Sequence, residues 1–371
     1  MTSTTRDLLR KTLMQRCLHW LFTPKGCHAK NQGRSLGPTS QLPTLPIHAS
    51  AWLFLCLLAA ELPGCDQPFN PRAPFERKLV MFSVLATNRS EQFVRVSTNY
   101  DVPGFDPNEN TTDPAMNDAT VSVLSEGKTY TLRDTVLPRP DNERYKTPII
   151  CYVARPLDVT CGRAYELQVV SPTLGIARAS LMVPEHCYVA LRIDGAMYLD
   201  YVPAIPPGIK DPGITVEGNF SKWAAGYVLR FFLKYEVLKD TVWVAEELEV
   251  PAVHWADSVA GIQLRYPTVD RVQGSRYTVV FMVNAYRWAL RDIVNRYIAN
   301  RVVFREARFQ MTQLDGNLYK YYKTVNAFED KGTIRLDQPD YSNINGGVGV
   351  FGAYAVDSLV HTFPPDFPIF R

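Results

Sequence analysis

The stretch with the clearest claim to chemistry lies near the C-terminus, where residues 343–356 read NINGGVGVFGAYAV. Within it Gly347-Val-Gly349-Val-Phe-Gly352 spells G-x-G-x-x-G, the glycine spacing that lets a backbone approach a dinucleotide pyrophosphate at a helix N-terminus. That chemistry needs a strand before the string, a helix after it and an acid about 20 residues on. The 19 residues after Gly352 are of β-type composition and hold three prolines, so they offer no room for a βαβ unit. A turn and strand is the better account. Asn345-Gly346 suits a tight turn with positive φ. Val348, Val350, Tyr354 and Val356 then share one face, and Gly347, Gly349, Phe351, Ala353 and Ala355 the other. The second face is nearly bare. It admits a neighbouring backbone or a helix over 315–328, with Phe351 as its single plug. No cofactor is expected.

Other reactive side chains are sparse. Of six histidines, His19, His28 and His48 fall in the first 64 residues. His254 has Asp257 and Ser258 nearby in AVHWADS, but no G-x-S-x-G elbow accompanies it, and a packing or surface histidine is the expectation. His361 sits in the Pro-rich tail and is expected to face packing or a partner. Glu246 and Glu247 are adjacent, so on a strand they point to opposite faces and cannot act as one acid/base pair. After the first 65 residues the cysteines are Cys151, Cys161 and Cys187. Cys151 and Cys161 could staple a hairpin-sized loop, with free buried thiols as the equal alternative. Their spacing is wrong for zinc, and the adjacent His186-Cys187 makes a poor chelate, so no metal is expected. The aromatic runs YVLRFFLKYEV and NLYKYYKT could stack sugars or a protein partner, but core filling and wet-tipped tyrosines are expected first.

The front of the chain carries an address. Residues 49–62 form an apolar run of 14, broken only by Glu61, too short to span a bilayer comfortably but suited to a signal-peptide core. It enters Leu62-Pro-Gly-Cys65, which resembles a bacterial lipobox with Cys65 as the lipid-anchored residue. Residues 1–64 therefore read as a leader, an overlong start followed by a lipoprotein signal peptide, and 65–77 as a tether. Seven Lys/Arg and one acid lie in residues 1–48. From Cys65 onward 33 basic residues face 35 acidic ones, so the overall +3 belongs to the leader. Nucleic acid is not an expected partner.

Residues 78–184 show about seven short alternating runs between turn residues, including the hairpin VSVLSEGKTYTL, and predict an immunoglobulin- or transthyretin-like sandwich. Residues 185–371 predict a second β unit, a sandwich or open barrel with one or two short helices. Tyr286, Leu290, Ile293, Val294, Tyr297 and Ile298 recur at helical spacing, and Asp315 is placed to cap a short helix beginning GNLYKYYK. The fold class is thus mainly β, in two sandwich-like domains.

From Leu314 to Leu359 the pattern, with its helix, its loop and the string SNINGGVGVFGAY, resembles the C-terminal signature of a Bacteroidota lipoprotein family known as domain-of-unknown-function family 4249. GRAYELQV and ARASLMVP agree with it, and the resemblance covers roughly 65–360. It marks Asn345, Gly346, Gly347, Gly349, Phe351 and Gly352 as a structural signature. It implies an outer-membrane-associated lipoprotein, often encoded beside TonB-dependent receptors, and brings no catalytic residues. It also implies extended structure around 286–300, against the helical spacing counted there. The leading expectation is a non-enzymatic binding or accessory lipoprotein that works with such a receptor in nutrient capture. The alternatives are an exported hydrolase or glycan-active enzyme using His254, Asp257 or the acidic strand 244–250, and a structural cell-surface module.

Overall fold

Short runs in which every second residue is apolar give an extended chain one side to bury, and such runs build most of this protein. A computed structural model describes residues 74–101, 110–139, 145–202, 210–257, 261–298, 300–326, 341–364 and 367, and gives only the backbone at 255–257, 261, 262 and 326. The lipobox at Cys65, the tether up to residue 73, Ser258 and the 327–328 end of the expected helix lie outside the described residues. The elements below belong to one unit built from Arg77–Tyr100, Thr112–Arg139 and Tyr145–Arg371.

The first half holds β1 (Leu79–Ala86), β2 (Gln92–Thr98), β3 (Thr120–Ser125), β4 (Lys128–Thr131), β5 (Arg133–Leu137), β6 (Ile149–Ala154), β7 (Ala164–Ser171) and β8 (Gly175–Met182). Then come β9 (Tyr188–Leu191), α1 (Ile193–Asp200), β10 (Gly213–Asn219), β11 (Gly226–Lys239) and β12 (Val242–Val250). The chain continues through β13 (Val253–Asp257), β14 (Gly261–Arg265), β15 (Asp270–Arg271), β16 (Arg276–Met282) and α2 (Val283–Arg296). It ends with β17 (Arg301–Leu314), α3 (Gly316–Asn326) and β18 (Gly347–Thr362).

One long sheet carries the order β12-β11-β17-β18-β1-β2-β6-β5, with β15 paired to β11. Two smaller sheets, β4-β3-β7-β8 and β16-β10-β9, complete the layers, while β13 and β14 form a hairpin of their own. The protein is mainly β and sandwich-like, and no sheet among the described residues closes into a barrel. Two apolar cores result. In one, Met81, Val94 and Phe351 of the long sheet meet Val123, Leu167 and Val169 of the first small sheet. In the other, Phe231 and Phe309 of the long sheet meet Phe281 and the α2 residues Tyr286, Leu290 and Ile293. The Phe231 and Phe309 rings stack with centroids 4.4 Å apart.

Strand β18 joins the two halves. It pairs in parallel with β1, from Leu79↔Gly347 to Ala86↔Tyr354, and antiparallel with β17, from Leu314↔Tyr354 to Glu306↔Thr362. Phe351 and Ala353 enter the first core, whereas Leu359, on the same face by strand alternation, packs against the second. Residues on both sides of the expected boundary at 184/185 thus share the long sheet, and the first core takes Ile344, Phe351 and Ala353 from beyond it.

Local signals are obeyed. The β3–β4 hairpin turns through Glu126 and Gly127 at φ 51° and 75°, the doubly left-handed pair that a two-residue hairpin requires. Helical spacing also prevails over the extended structure implied at 286–300. Tyr286, Ala289, Leu290 and Ile293 are all fully buried on one face of α2, and a strand would have turned alternate members of that set to water. Asp211, from before β10, accepts the Asn284 amide at the start of α2, and burial raises its carboxyl above the ordinary range. Helix α1 is the element that periodicity does not announce. Gly195 lies within it, and a Cβ there would stand 2.8 Å from the Thr215 amide nitrogen, so glycine lets α1 lie directly on β10.

Tyr286 is wholly buried, and its hydroxyl donates to the Leu199 carbonyl at 2.9 Å. Tyr286→Phe should keep the packing and strand that carbonyl, lowering stability by about 1–2 kcal/mol in urea unfolding. Tyr286→Ala should lose about 3–5 kcal/mol.

Candidate functional site

The glycine string folds as the start of β18. Gly346 has φ +80°, and an added Cβ would meet the Ile176 carbonyl oxygen at 2.3 Å. The neighbouring Asn345 exchanges backbone hydrogen bonds with Arg178 of β8. Gly349 is more constrained, with φ +120° and only 2.0 Å between an added Cβ and the Met81 carbonyl oxygen. At Gly347 the corresponding distance to the Leu79 carbonyl oxygen is 2.7 Å. The β1 backbone thus occupies the space a phosphate would need beside these two glycines.

Of the two neighbours expected at the bare face, a backbone or the helix, the β1 backbone is the one found, and α3 lies on the opposite face. A Cβ at Gly352 would stand 2.7 Å from the Leu318 Cβ, so Gly352, not the Gly347/Gly349 face, receives the helix. Tyr319 likewise sits over Gly226 of β11, and Tyr321 meets Phe82 of β1 edge-on at 5.9 Å. Phe351 is buried in the first core instead of plugging a helix contact.

Asp315 ties helix to strand. Its Oδ1 accepts the Leu318 amide at 2.9 Å and the Ala353 amide at 3.0 Å, and its Oδ2 accepts the Asn317 amide at 3.4 Å. The carboxylate therefore caps α3 and holds β18 at once. It is only 3% exposed. Burial raises its pKa to about 6, against the three amide donors, which favour the charged form. Asn343 adds a second clamp, its side chain accepting the Phe351 amide and donating to the Phe351 carbonyl.

Of the residues suggested for hydrolysis, the described ones make packing and ion-pair contacts. His254 has a buried Nε2 without a hydrogen-bond partner among the described residues, and its ring stacks on Trp288 at 6.1 Å. The Asp257 side chain lies outside the described residues. Glu246 and Glu247 do face opposite ways. Glu246 accepts from Lys239 at 2.6 Å and from the Tyr235 and Tyr297 hydroxyls, while Glu247 pairs with Arg308 at 2.6 Å. Burial pushes the Glu246 carboxyl up, but these donors together hold it below its usual range. In YVLRFFLKYEV, Leu229, Phe231, Leu233 and Tyr235 are core residues.

The sequence reading missed a thiol, imidazole and carboxylate meeting where β18 passes between the cores. His186 Nδ1 lies 2.7 Å from Asp357 Oδ1 and 3.7 Å from Cys161 Sγ, and the Cys187 amide donates to Asp357 Oδ2 at 3.0 Å. Only the His186-Cys187 adjacency hinted at it, because Asp357 is 170 residues further along the chain. Thiol and carboxylate address the same ring nitrogen. A relay would set one on each nitrogen. Burial also pushes the Cys161 thiol up, as does the Asp357 charge, against a hydrogen bond from Thr87, whereas an activated nucleophile needs a lowered pKa. Cys151 and Cys161 are both free thiols. Cys151 is buried within β6 and Cys161 adjoins His186, so the suggested staple between them is not made. No cluster of three metal-ligating side chains suited to an ion occurs among the described residues.

An open groove of ≈390 Å³ runs beside α3, lined by Ala224, Ala225, Arg271, Val272, Tyr319 and Lys320. No described helix is long and apolar enough to cross a membrane.

Sandwich-like layers, a glycine-packed C-terminal strand and an open groove define a β-rich protein whose marked sequence motif serves packing. Residues 66–359 match the family model described as domain of unknown function (DUF4249), and the chain belongs to that family. No protein with a curated description matches it.

Two outcomes test the packing account. Gly349→Ala should lose about 3 kcal/mol or more in chemical unfolding, since left-handed strain and a backbone clash combine. Gly127→Ala, also at positive φ but in open space, should lose only about 1 kcal/mol. For Asp315 the folded pKa lies above the ordinary value of 3.8. Its contribution is therefore fully present below pH 4 and lost as pH rises through about 6. Unfolding free energy should fall by about 3 kcal/mol over that window in the wild type, and Asp315→Asn should abolish this component.

Proposed function

We propose that the protein is a lipid-anchored component of the bacterial cell envelope, held at the outer membrane, whose β body binds instead of catalysing. In this reading it works as an accessory to a TonB-dependent receptor in nutrient capture. One observation carries the proposal: the family domain begins at Asp66, directly after the cysteine of Leu62-Pro-Gly-Cys65 and its apolar run. A chain cut before Cys65 and acylated on that thiol would consist of the anchor and the family domain, whose first residues form a short polar tether. The Pro/Asn-rich tether suits an extended spacer between membrane and body. The groove beside Tyr319, with Arg271 and Lys320 on its walls, is the surface this reading assigns to a ligand or receptor.

The test is expression of the full chain in a lipoprotein-processing host. The mature N-terminal peptide should begin at Cys65 and carry acyl mass, and the protein should sediment with membranes. Cys65→Ala should remain unprocessed by the lipoprotein peptidase and lose acyl labelling. Detergent extracts of the native envelope should co-purify a TonB-dependent receptor with the wild-type protein. An N-terminus elsewhere with Cys65 unmodified would sink the anchor, and repeated extraction without a receptor would sink the accessory role.

A further inference from the structure

The cysteines beyond Cys65 are odd in number, and the structure sorts them. Cys151 is buried in β6, between β2 and β5. Cys161 and Cys187 instead converge. The β7–β8 ladder begins at Ala164↔Met182 and is prolonged by the Val183 amide donating to Arg163 O at 2.9 Å and the Gly162 amide donating to Val183 O at 3.1 Å. One step further, this register sets Cys161 opposite Glu185, two residues from Cys187. His186, between them in sequence, touches Cys161 Sγ and Asp357. Cys187 binds the same carboxylate through its amide at 3.0 Å. Both cysteines therefore border the His186–Asp357 pair at the open end of one hairpin.

We propose that Cys161 and Cys187 form a reversible disulfide that closes the open end of the β7–β8 hairpin onto the start of β9, with Cys151 remaining a thiol. Closure takes Cys161 away from Thr87 and His186 and towards Cys187. The oxidant is the disulfide of an envelope thiol–disulfide oxidoreductase. The Cys161 thiolate attacks one of its sulfurs, forming a mixed disulfide and releasing the other sulfur as a thiol. The Cys187 thiolate then attacks the Cys161 sulfur, completing the bond and releasing the second sulfur. Two electrons pass to the oxidant, and the two protons lost by the cysteines are balanced by those its thiols take up. Burial, followed by the Asp357 charge, raises both thiol pKa values. Both cysteines are then weak nucleophiles and poor leaving groups, so the bond forms slowly without a catalyst and resists reduction once made. The oxidising surroundings rest on the envelope location proposed above; the placement of the pair does not.

Two experiments separate those questions. Purified, reduced full-length protein is incubated to equilibrium with glutathione disulfide and a thiol–disulfide oxidoreductase, alkylated and peptide-mapped. A 161–187 cross-linked peptide with Cys151 alkylated is expected. The oxidised protein should melt about 5 °C above the dithiothreitol-treated protein, and both Cys161→Ser and Cys187→Ser should remove that difference. Alkylation of Cys151, Cys161 and Cys187 alike, glutathione on Cys161 alone, or a link through Cys151 overturns the proposal. In the second arm, protein is extracted from envelopes directly into N-ethylmaleimide. A linked peptide there supports both readings. A link made by glutathione disulfide but missing from the extract upholds the pair and counts against the envelope location.

Discussion

The fold depends on how closely the backbone of β18 can lie against that of β1. Carbonyl oxygens of Leu79 and Met81 stand where Cβ atoms at 347 and 349 would be, so only glycine permits the parallel pairing there. That pairing makes β18 the common strand of both cores: Phe351 and Ala353 belong to one, and Leu359 packs on the other. The outer side of the same strand carries a second close approach, with Leu318 of α3 over Gly352. A strand approached from its edge and from its outer face tolerates little change, because close-packed interiors transmit small displacements.

Polar groups concentrate where that strand passes from one core to the other. Gln313 of β17 pairs across to Ala355. It is fully buried and accepts the Ser221 amide at 2.8 Å. Asp357, two residues along β18, holds His186 and Cys187. Asp315 performs a similar task at the helix, satisfying amides of α3 and β18 with one carboxylate. In each case a side chain from one segment satisfies the backbone of another. Buried amides left without such partners would each cost about 1–3 kcal/mol.

Much of the element list was legible because it rests on short-range rules. Alternation in KLVMFSVLA and QFVRVST gave β1 and β2, the Glu-Gly pair gave the β3–β4 turn, and Tyr286, Leu290 and Ile293 gave α2. Asp315 was legible as a cap, but not as the group that also binds the Ala353 amide 38 residues on. Helix α1 escaped because its buried contacts are Gly195 and Leu199 while Ile193 and Met197 face water, a pattern without a readable apolar stripe. The thiol–imidazole–carboxylate meeting escaped for a different reason: nothing near Cys161 in sequence points to Asp357.

By itself the sequence determined the mainly β class, the helical spacing that begins at Tyr286, the capping role of Asp315 and the unsuitability of the glycine string for a nucleotide. These follow from spacing, turn chemistry and backbone freedom, which act over a few residues. Only the tertiary structure decided that β18 inserts beside β1, 268 positions earlier, that α3 takes the Gly352 face, and which cysteines approach one another. A strand has two edges and two faces, each open to several neighbours. The choice is made by the combined burial of both cores, which no local stretch of the chain contains.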